Sequence, residues 1–371
     1  MIIGTVKEIK NHEYRVGLTP ESSAELVSHG HVVLVEKQAG VGIGATDEAY
    51  AAAGATLRET AAEVFAQAEM IVKVKEPQPS ETAMLREGQI LYTYLHLAPD
   101  PEQTKALVAS KATCIAYETV TAANGSLPLL KLMSQVAGRM SIQAGATALE
   151  KAHGGRGFLL GGVPGVRPAR VVVIGGGVVG FNAAQMAVGL GANVTILDRD
   201  ADTLESLARH FESNANTAYS TRTRLLELIE TADLVVGAVL IPGAAAPKLI
   251  KRADLAVMQP GAVLVDVAID QGGCFETSKA TTHAAPTYEV DGIVHYCVAN
   301  MPGGVARTST YALNNVTLPF AIKIANLGWK EALRADPHLL QGLNVWDGQI
   351  TNAPVAEALS YDFVPPQDAL S

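Results

Sequence analysis

Apolar positions in the first third of the chain fall in short runs separated by amphipathic stretches. Residues 2–6, 32–36, 70–74, 90–95 and 113–117 read as strands. Between them, residues 20–28, 46–53 and 101–110 have helical spacing, the first two stopped near Gly30 and Gly54. This alternation predicts a mostly parallel sheet covered by helices on both faces. Residues 128–153 then read as one long helix closed by Gly154-Gly155, followed by a turn cluster at Gly161-Gly162-Val163-Pro164-Gly165. A second α/β run places strands at 170–174, 193–197, 217–219, 233–239, 262–267 and 293–298. The residues from Gly303 onward are too few for a robust core of their own. Residues 305–329, helical with a break or kink at Pro319, are therefore expected to lead back so that the tail completes the first domain.

Composition narrows the partners. With 28 Lys and Arg against 37 Asp and Glu, the net charge is −9, which argues against nucleic acid or an anionic membrane as the partner. Cys114, Cys274 and Cys297 form neither a zinc spacing nor a CxxC pair and read as reduced thiols. Residues 171–197 carry no charge over 27 positions, long enough for a membrane span, yet they hold six glycines, Asn182, Gln185 and Asn193. Strand, turn, helix, turn and strand account for every one of those glycines. The N-terminus lacks a basic region followed by a long apolar core. The expectation is a soluble, cytoplasmic chain with small-molecule partners.

The same uncharged stretch contains the sharpest motif. Arg170-Val-Val-Val-Ile-Gly175-Gly-Gly177-Val178-Val179-Gly180 sets GxGxxG directly after a buried strand and at the start of a helix. Gly175 permits the tight turn, Gly177 leaves room for a pyrophosphate, and Gly180 lets helix and strand pack closely. A second strand ends at Asp198, 18 residues beyond Gly180, where a carboxylate can accept from ribose hydroxyls. It would repel a 2′-phosphate, so NAD is expected over NADP, with the adjacent Arg199 softening the preference. Six strands in this half is the number in a full dinucleotide-binding fold. Gly40-Val-Gly42-Ile-Gly44 has the wrong spacing and reads as a plain loop, and His29-Gly30-His31 as a helix stop rather than a metal pair.

Polar residues at strand ends form a third group. Lys73 and Lys75 alternate with Val72 and Val74, pointing to a strand that leaves the core for a wet cleft. His96 closes Tyr92-Thr-Tyr94-Leu-His96 before a proline turn. Arg15, in the loop after the first strand, reads by itself as an ordinary surface arginine. Asp270 follows a strand into a glycine-softened loop, where it could fall near a nicotinamide or merely cap a turn.

Together these segments resemble a known family. Thr5-Val-Lys-Glu-Ile-Lys10 through Arg15-Val-Gly-Leu-Thr-Pro20 is similar to the opening signature of the alanine dehydrogenases and the related transhydrogenase NAD-binding subunits. Val72-Lys73-Val-Lys75-Glu-Pro77, Tyr94-Leu-His96-Leu-Ala, Ala116-Tyr117-Glu118-Thr119, Ser134-Gln-Val-Ala-Gly138-Arg139 and Leu160-Gly-Gly-Val-Pro-Gly165 continue the likeness. Asp266-Val-Ala-Ile-Asp270-Gln-Gly-Gly and Asn300-Met-Pro-Gly303 complete it. The resemblance spans essentially the whole chain, and its later motifs favour the alanine dehydrogenases. Val179 stands where a small residue is commoner, and the extreme C-terminus is individual.

The resemblance implies an α/β fold of two Rossmann-like doubly wound domains. Residues 1–128 plus 305–371, both ends of the chain, would form the substrate domain, and 129–304 the NAD-binding domain. It implies that Arg15 and Lys75 hold the substrate and that His96 and Asp270 are the acid/base pair. Ser134, Gly175, Gly177, Val178, Val179, Gly180, Asp198, Ser220, Val239, Leu240, Val267, Ala268, Ile269, Asp270, Asn300 and Met301 would contact NAD, with no metal. It also implies a homohexamer. The expected activity is reversible oxidative deamination of L-alanine to pyruvate and ammonium. A transhydrogenase-type subunit, a saccharopine-type dehydrogenase and a catalytically silent NAD sensor remain as alternatives. The joint presence of Arg15, Lys75, His96 and Asp270 speaks against the sensor.

Overall fold

The computed structural model describes residues 1–239 and 246–371. They divide into two compact units, Met1–Met133 with Gly303–Ser371, and Ser134–Pro302. The strands are β1 (Ile2–Thr5), β2 (Val32–Glu36), β3 (Thr56–Arg58), β4 (Met70–Val72), β5 (Ile90–Thr93) and β6 (Thr113–Ala116). In the second unit they are β7 (Arg170–Ile174), β8 (Asn193–Asp198), β9 (Ala215–Tyr219), β10 (Leu234–Gly237), β11 (Val263–Asp266), β12 (Thr287–Val290) and β13 (Ile293–Tyr296). The C-terminal segment adds β14 (Leu343–Trp346) and β15 (Gln349–Ile350) to the first unit.

Among the described residues, the first sheet runs β15-β14-β6-β5-β4-β1-β2-β3 and the second β12-β13-β11-β10-β7-β8-β9. β1 to β6 pair parallel throughout, as do β7 to β11 and β13. Both sheets reverse direction of growth beside their first strand, between β1 and β4 and between β7 and β10. That reversal opens a crevice at the carboxyl ends of the strands, where doubly wound folds bind ligands. Burial on both faces explains the near-continuous apolar strands. In β7, Val171 and Val173 enter one core while Val172 and Ile174 enter the other, as a two-residue side-chain period requires.

The tail joins the first unit through specific contacts. Asn314, on the helix Ala306–Leu327, accepts the Thr19 N–H at 3.1 Å and the Ser22 hydroxyl at 2.8 Å. Thr19 is itself the N-cap of the helix Pro20–Ser28. Val345 and Ile350 pack into the same core as Leu91 and Cys114. The β14–β15 turn places Asp347 and Gly348 at φ 45° and 76°, the left-handed pair that a two-residue hairpin demands.

Several expectations change. The helix Ala306–Leu327 runs unbroken through Pro319. A proline inside a helix costs about 3 kcal/mol, and the burial of Thr317, Ala321 and Ile324 around it holds the helix together. β4 and β5 stop two residues early, at Val72 and Thr93. The long central helix ends at Ala148, and residues Lys151–His153 form a separate 3-10 turn. The loop at residues 40–44 is a 3-10 turn ended by Gly44 at φ 77°, a structural loop as its spacing implies.

Candidate active site

In the first unit, parallel pairing brings the carboxyl ends of β1, β4 and β5 to one edge of the sheet. The loop after β1 folds back through a bridge between Lys7 and Val16 and delivers Arg15 to that edge. Glu8, in the same loop, accepts the Val74 N–H at 2.7 Å and the Lys75 N–H at 3.4 Å, so it straps the end of β4. The Tyr94 N–H in turn reaches Val74 O at 3.3 Å, and the Thr93 hydroxyl reaches Lys75 O at 3.0 Å. Arg15, Lys75 and His96 are thus carried by three adjoining, mutually bonded segments.

Lys73 takes no part in a wet cleft. It is 0% exposed, with its ammonium 2.9 Å from Glu8 and 2.7 Å from Glu81. Burial opposes its charge, but the two carboxylates outweigh that and hold the ammonium above its ordinary value. Glu8 is pushed up by burial against the pull of Lys73. Only Lys75, half-buried beside Glu76 at 3.9 Å, remains as the strand-end lysine for chemistry.

Arg15 is not a surface arginine: it is 2% exposed. Glu13 grips it with two parallel bonds, Nε to Oε1 at 2.7 Å and Nη2 to Oε2 at 2.6 Å. Nη1 lies 3.2 Å from Met133 Sδ. Burial works against the guanidinium charge, and the Glu13 bonds more than reverse it.

His96 occupies a left-handed turn, φ 50°, immediately after β5. Its ring is exposed and lies parallel to Tyr94, centroids 5.8 Å apart. Glu118, in the turn after β6, accepts the His96 N–H at 2.6 Å and the Leu95 N–H at 3.1 Å. The Tyr94 hydroxyl donates to Leu129 O at 2.5 Å, and burial pushes its acidity well down.

The second unit holds the glycine loop between β7 and the helix Val178–Gly189. Each glycine has its own reason. Gly175 sits at φ 101°, where a Cβ would also meet Ala238 O at 2.8 Å. A Cβ at Gly180 would lie 1.8 Å from Gly175 O, so this glycine is a packing requirement. Gly177 has an ordinary φ of −67°, and a Cβ there would meet nothing within 4 Å. Neither backbone conformation nor internal packing asks for glycine at 177. Room for a phosphate approaching the helix N-terminus does. The residues present therefore fit a dinucleotide.

Asp198 ends β8 and closes this loop: Oδ2 accepts the Gly176 N–H at 2.6 Å and Oδ1 the Asp200 N–H at 2.9 Å. Ser220 N–H binds Asp198 O at 2.8 Å, which places both at the same strand edge. Val239 follows β10, its Cγ2 3.1 Å from where a Gly175 Cβ would stand. Val267 N–H reaches Gly237 O at 3.0 Å, setting the turn after β11 beside the end of β10. Asp266, fully buried, organises that turn by accepting from Ala268 N–H, Cys274 N–H and the Ser278 hydroxyl. Asp270 projects from it on the one-turn 3-10 segment Ile269–Gln271 and is exposed, whereas Ala268 and Ile269 are buried. Asn300 adopts φ 61° and Met301 packs in the core. Ser134 is half-buried at the start of the second unit. Val178 is exposed at the helix start, and the Val179 side chain packs on the core, leaving its backbone for a ligand. Leu240 lies outside the described residues.

Comparison with known proteins places this geometry. Residues 4–137 match the family described as alanine dehydrogenase/PNT, N-terminal domain, and residues 141–353 its C-terminal domain. The chain belongs to the alanine dehydrogenase/PNT family. It is 60% identical over 364 residues to an alanine dehydrogenase of Halomonas elongata, covering 98% of each chain. It is 56% identical over 372 residues to one of Methanococcus maripaludis, covering both chains fully. A solved L-alanine dehydrogenase structure superposes with TM-score 0.95 at 50% identity, covering 97% of this chain and 99% of that one. A transhydrogenase from Sinorhizobium meliloti superposes with TM-score 0.82 at 26% identity, covering 95% and 100%. Identity thus falls by half between the two branches of the family. Among the described residues, no helix is long and apolar enough to cross a membrane.

Three acidic residues of this family member escaped the sequence reading as site residues: Glu8, Glu13 and Glu118. Each lies within a quoted family segment, and Glu118 stands just past the carboxyl end of a strand. A carboxylate that binds backbone N–H groups leaves no periodic trace in a sequence, so position after a strand was the only signal.

Proposed function

We propose that this chain is an NAD-dependent alanine dehydrogenase that interconverts L-alanine and water with pyruvate and ammonium. The reading is carried by one observation: Arg15, Lys75 and His96 sit at the carboxyl ends of adjoining strands in a chain 60% identical to the Halomonas elongata protein along 98% of both. Arg15 offers a planar fork to the carboxylate that alanine and pyruvate share. Lys75 donates to the substrate oxygen as charge develops on it. His96 cycles protons as the carbinolamine forms and collapses, a task suited to an imidazole near neutral pH. Asp270 is the second acid/base group, carried by the other unit. When bound, NAD supplies the hydride acceptor.

The groups that would hold NAD are the glycine loop with Val178 and Val179, Asp198 at the ribose, and Ser134, Ser220, Val239, Leu240, Val267 to Asp270, Asn300 and Met301. Asp198 favours NAD by repelling a 2′-phosphate. Family resemblance supports a homohexamer, and the acidic surface supports a cytoplasmic role in alanine catabolism. A transhydrogenase activity is disfavoured by the 26% identity to that branch. Following NADH absorbance with L-alanine, a panel of amino acids and NADP-linked acceptors tests the reading. NADH formation with L-alanine and NAD is expected. Its absence, or hydride exchange between nucleotides in its place, would overturn the proposal.

A further inference from the structure

Glu13 and Arg15 are both withdrawn from solvent, with 0% and 2% of their side chains exposed. Glu13 Oε1 accepts from Arg15 Nε at 2.7 Å and from the Arg15 backbone N–H at 3.1 Å, while Oε2 accepts from Nη2 at 2.6 Å. One carboxylate therefore fixes both the guanidinium and the peptide that bears it. The loop around them is held from several sides. Lys7 bridges Val16, Glu13 N–H binds Lys10 O at 3.0 Å, and Tyr14 O sits where a Cβ at Gly42 would intrude.

A guanidinium has two edges that can pair a carboxylate with parallel bonds, Nε with Nη2 and Nη1 with Nη2. Glu13 occupies the first. From this geometry we propose that Glu13 is a positioning residue that commits Arg15 to bind the substrate carboxylate through Nη1 and Nη2, in one plane. The inference rests on the reading of Arg15 as the substrate-carboxylate group. Nη1 lies against Met133 Sδ, a weak acceptor that a carboxylate oxygen outcompetes. Because Glu13 already balances the guanidinium charge, Arg15 acts on the substrate more as an oriented template than as a bare cation. Orientation is what a reaction at the adjacent carbon needs, since a misplacement of about 1 Å can cost ~10²-fold in rate.

The test compares Glu13→Gln, Glu13→Asp and Arg15→Lys in the full-length enzyme. Steady-state kinetics in both directions are read beside binding of oxamate, an unreactive carboxylate, in the presence of NADH. Glutamine keeps the volume but turns an N–H group toward a guanidinium donor and leaves the arginine charge unbalanced. Glu13→Gln is expected to lose about 10²-fold in kcat, while oxamate binds as well as before or more tightly. Glu13→Asp, with its charge intact and its reach shortened, should recover part of the lost kcat. Arg15→Lys should lose kcat and oxamate affinity together. If kcat of Glu13→Gln stays near wild type while Arg15→Lys is impaired, Glu13 does not position Arg15. Parallel loss of kcat, oxamate affinity and thermal stability in Glu13→Gln, without recovery in Glu13→Asp, reduces Glu13 to a structural residue. Unchanged kinetics in Arg15→Lys would remove Arg15 from the substrate site and this proposal with it.

Discussion

The carboxylate of Glu118 binds the backbone of His96, donor to acceptor 2.6 Å, and so holds the turn in which the imidazole is displayed. Glu118 also accepts from Leu95 N–H, and His96 itself sits at φ 50°. Removing Glu118 leaves two N–H groups without their acceptor, at about 1–3 kcal/mol for each that stays buried. Glu118→Ala should therefore lower both Tm and turnover. His96→Gly separates display from chemistry, because glycine accepts positive φ at no steric cost. It should melt near wild type yet lose ~10²-fold or more in kcat, the scale of a missing acid/base group. Near-native turnover of His96→Gly in an NADH absorbance assay would exclude the imidazole from the mechanism.

Two lysines that look alike in sequence should behave in opposite ways. Lys73 is enclosed by Glu8 and Glu81, so Lys73→Met strands two buried carboxylates and should destabilise by about 3–5 kcal/mol. Lys75→Met removes a half-buried group whose loss should cost ~10²–10³ in kcat, as for other donors to a developing oxyanion. Urea unfolding beside kinetics of both variants decides. A stable Lys73→Met or a fully active Lys75→Met breaks the assignment of that residue.

Asp198 performs two tasks, and its replacement should reveal both. Its carboxylate faces the ribose end of the fingerprint, and it also anchors the Gly176 and Asp200 N–H groups. Asp198→Ala should weaken NAD and narrow its advantage over NADP, because repulsion of the 2′-phosphate is gone. The ratio of kcat/KM for the two cofactors measures this. An unchanged ratio would show that another residue sets the choice.

How far the chain was legible follows from the range of its signals. The parallel strands were readable because burial on both faces makes each a continuous apolar run, and β7 with its glycines was the clearest. β12 was missed because Thr287–Val290 is a half-exposed edge strand without such a run. β14 and β15 were missed although Asp347-Gly348 between them is a hairpin signal. Within the site, the glycine loop and Asp198 were legible because their spacing is local. Arg15 was misread as exposed because the Glu13 pairing that permits its burial is invisible in composition. Lys73 was misread for the same reason, its partners lying 65 and 8 residues away.

Acid stability should depend in part on Glu76. Burial alone would push its carboxyl up, but Lys75 and Lys10 outweigh that and hold it below its ordinary 4.5. A lowered folded-state pKa gives stability that is present above pH 4.5 and is lost as pH falls through the folded value. Glu76→Gln should therefore melt below wild type at neutral pH, with the gap shrinking under more acid conditions. Tm measured from pH 7 down to about 3 checks the sign; a gap that widens in acid contradicts it.

The fingerprint glycines offer the cleanest separation of fold from binding. At Gly177 the backbone lies at φ −67° and an added methyl meets nothing within 4 Å. The folded protein should therefore accept alanine there at a cost of about 1 kcal/mol or less, the usual difference at a helix N-cap. At Gly180 the same methyl would stand 1.8 Å from the Gly175 carbonyl oxygen, a backbone atom that no rotamer change can move. Relief requires the helix Val178–Gly189 to shift away from β7, whose residues form the centre of both apolar layers. Gly180→Ala should thus lower Tm strongly and weaken NADH through loss of the loop. Gly177→Ala should leave Tm nearly unchanged and still weaken NADH, because the methyl projects into the space a pyrophosphate needs. Thermal melts alongside NADH titrations distinguish the two. Full NADH affinity in Gly177→Ala would mean that the dinucleotide does not approach the helix at this glycine.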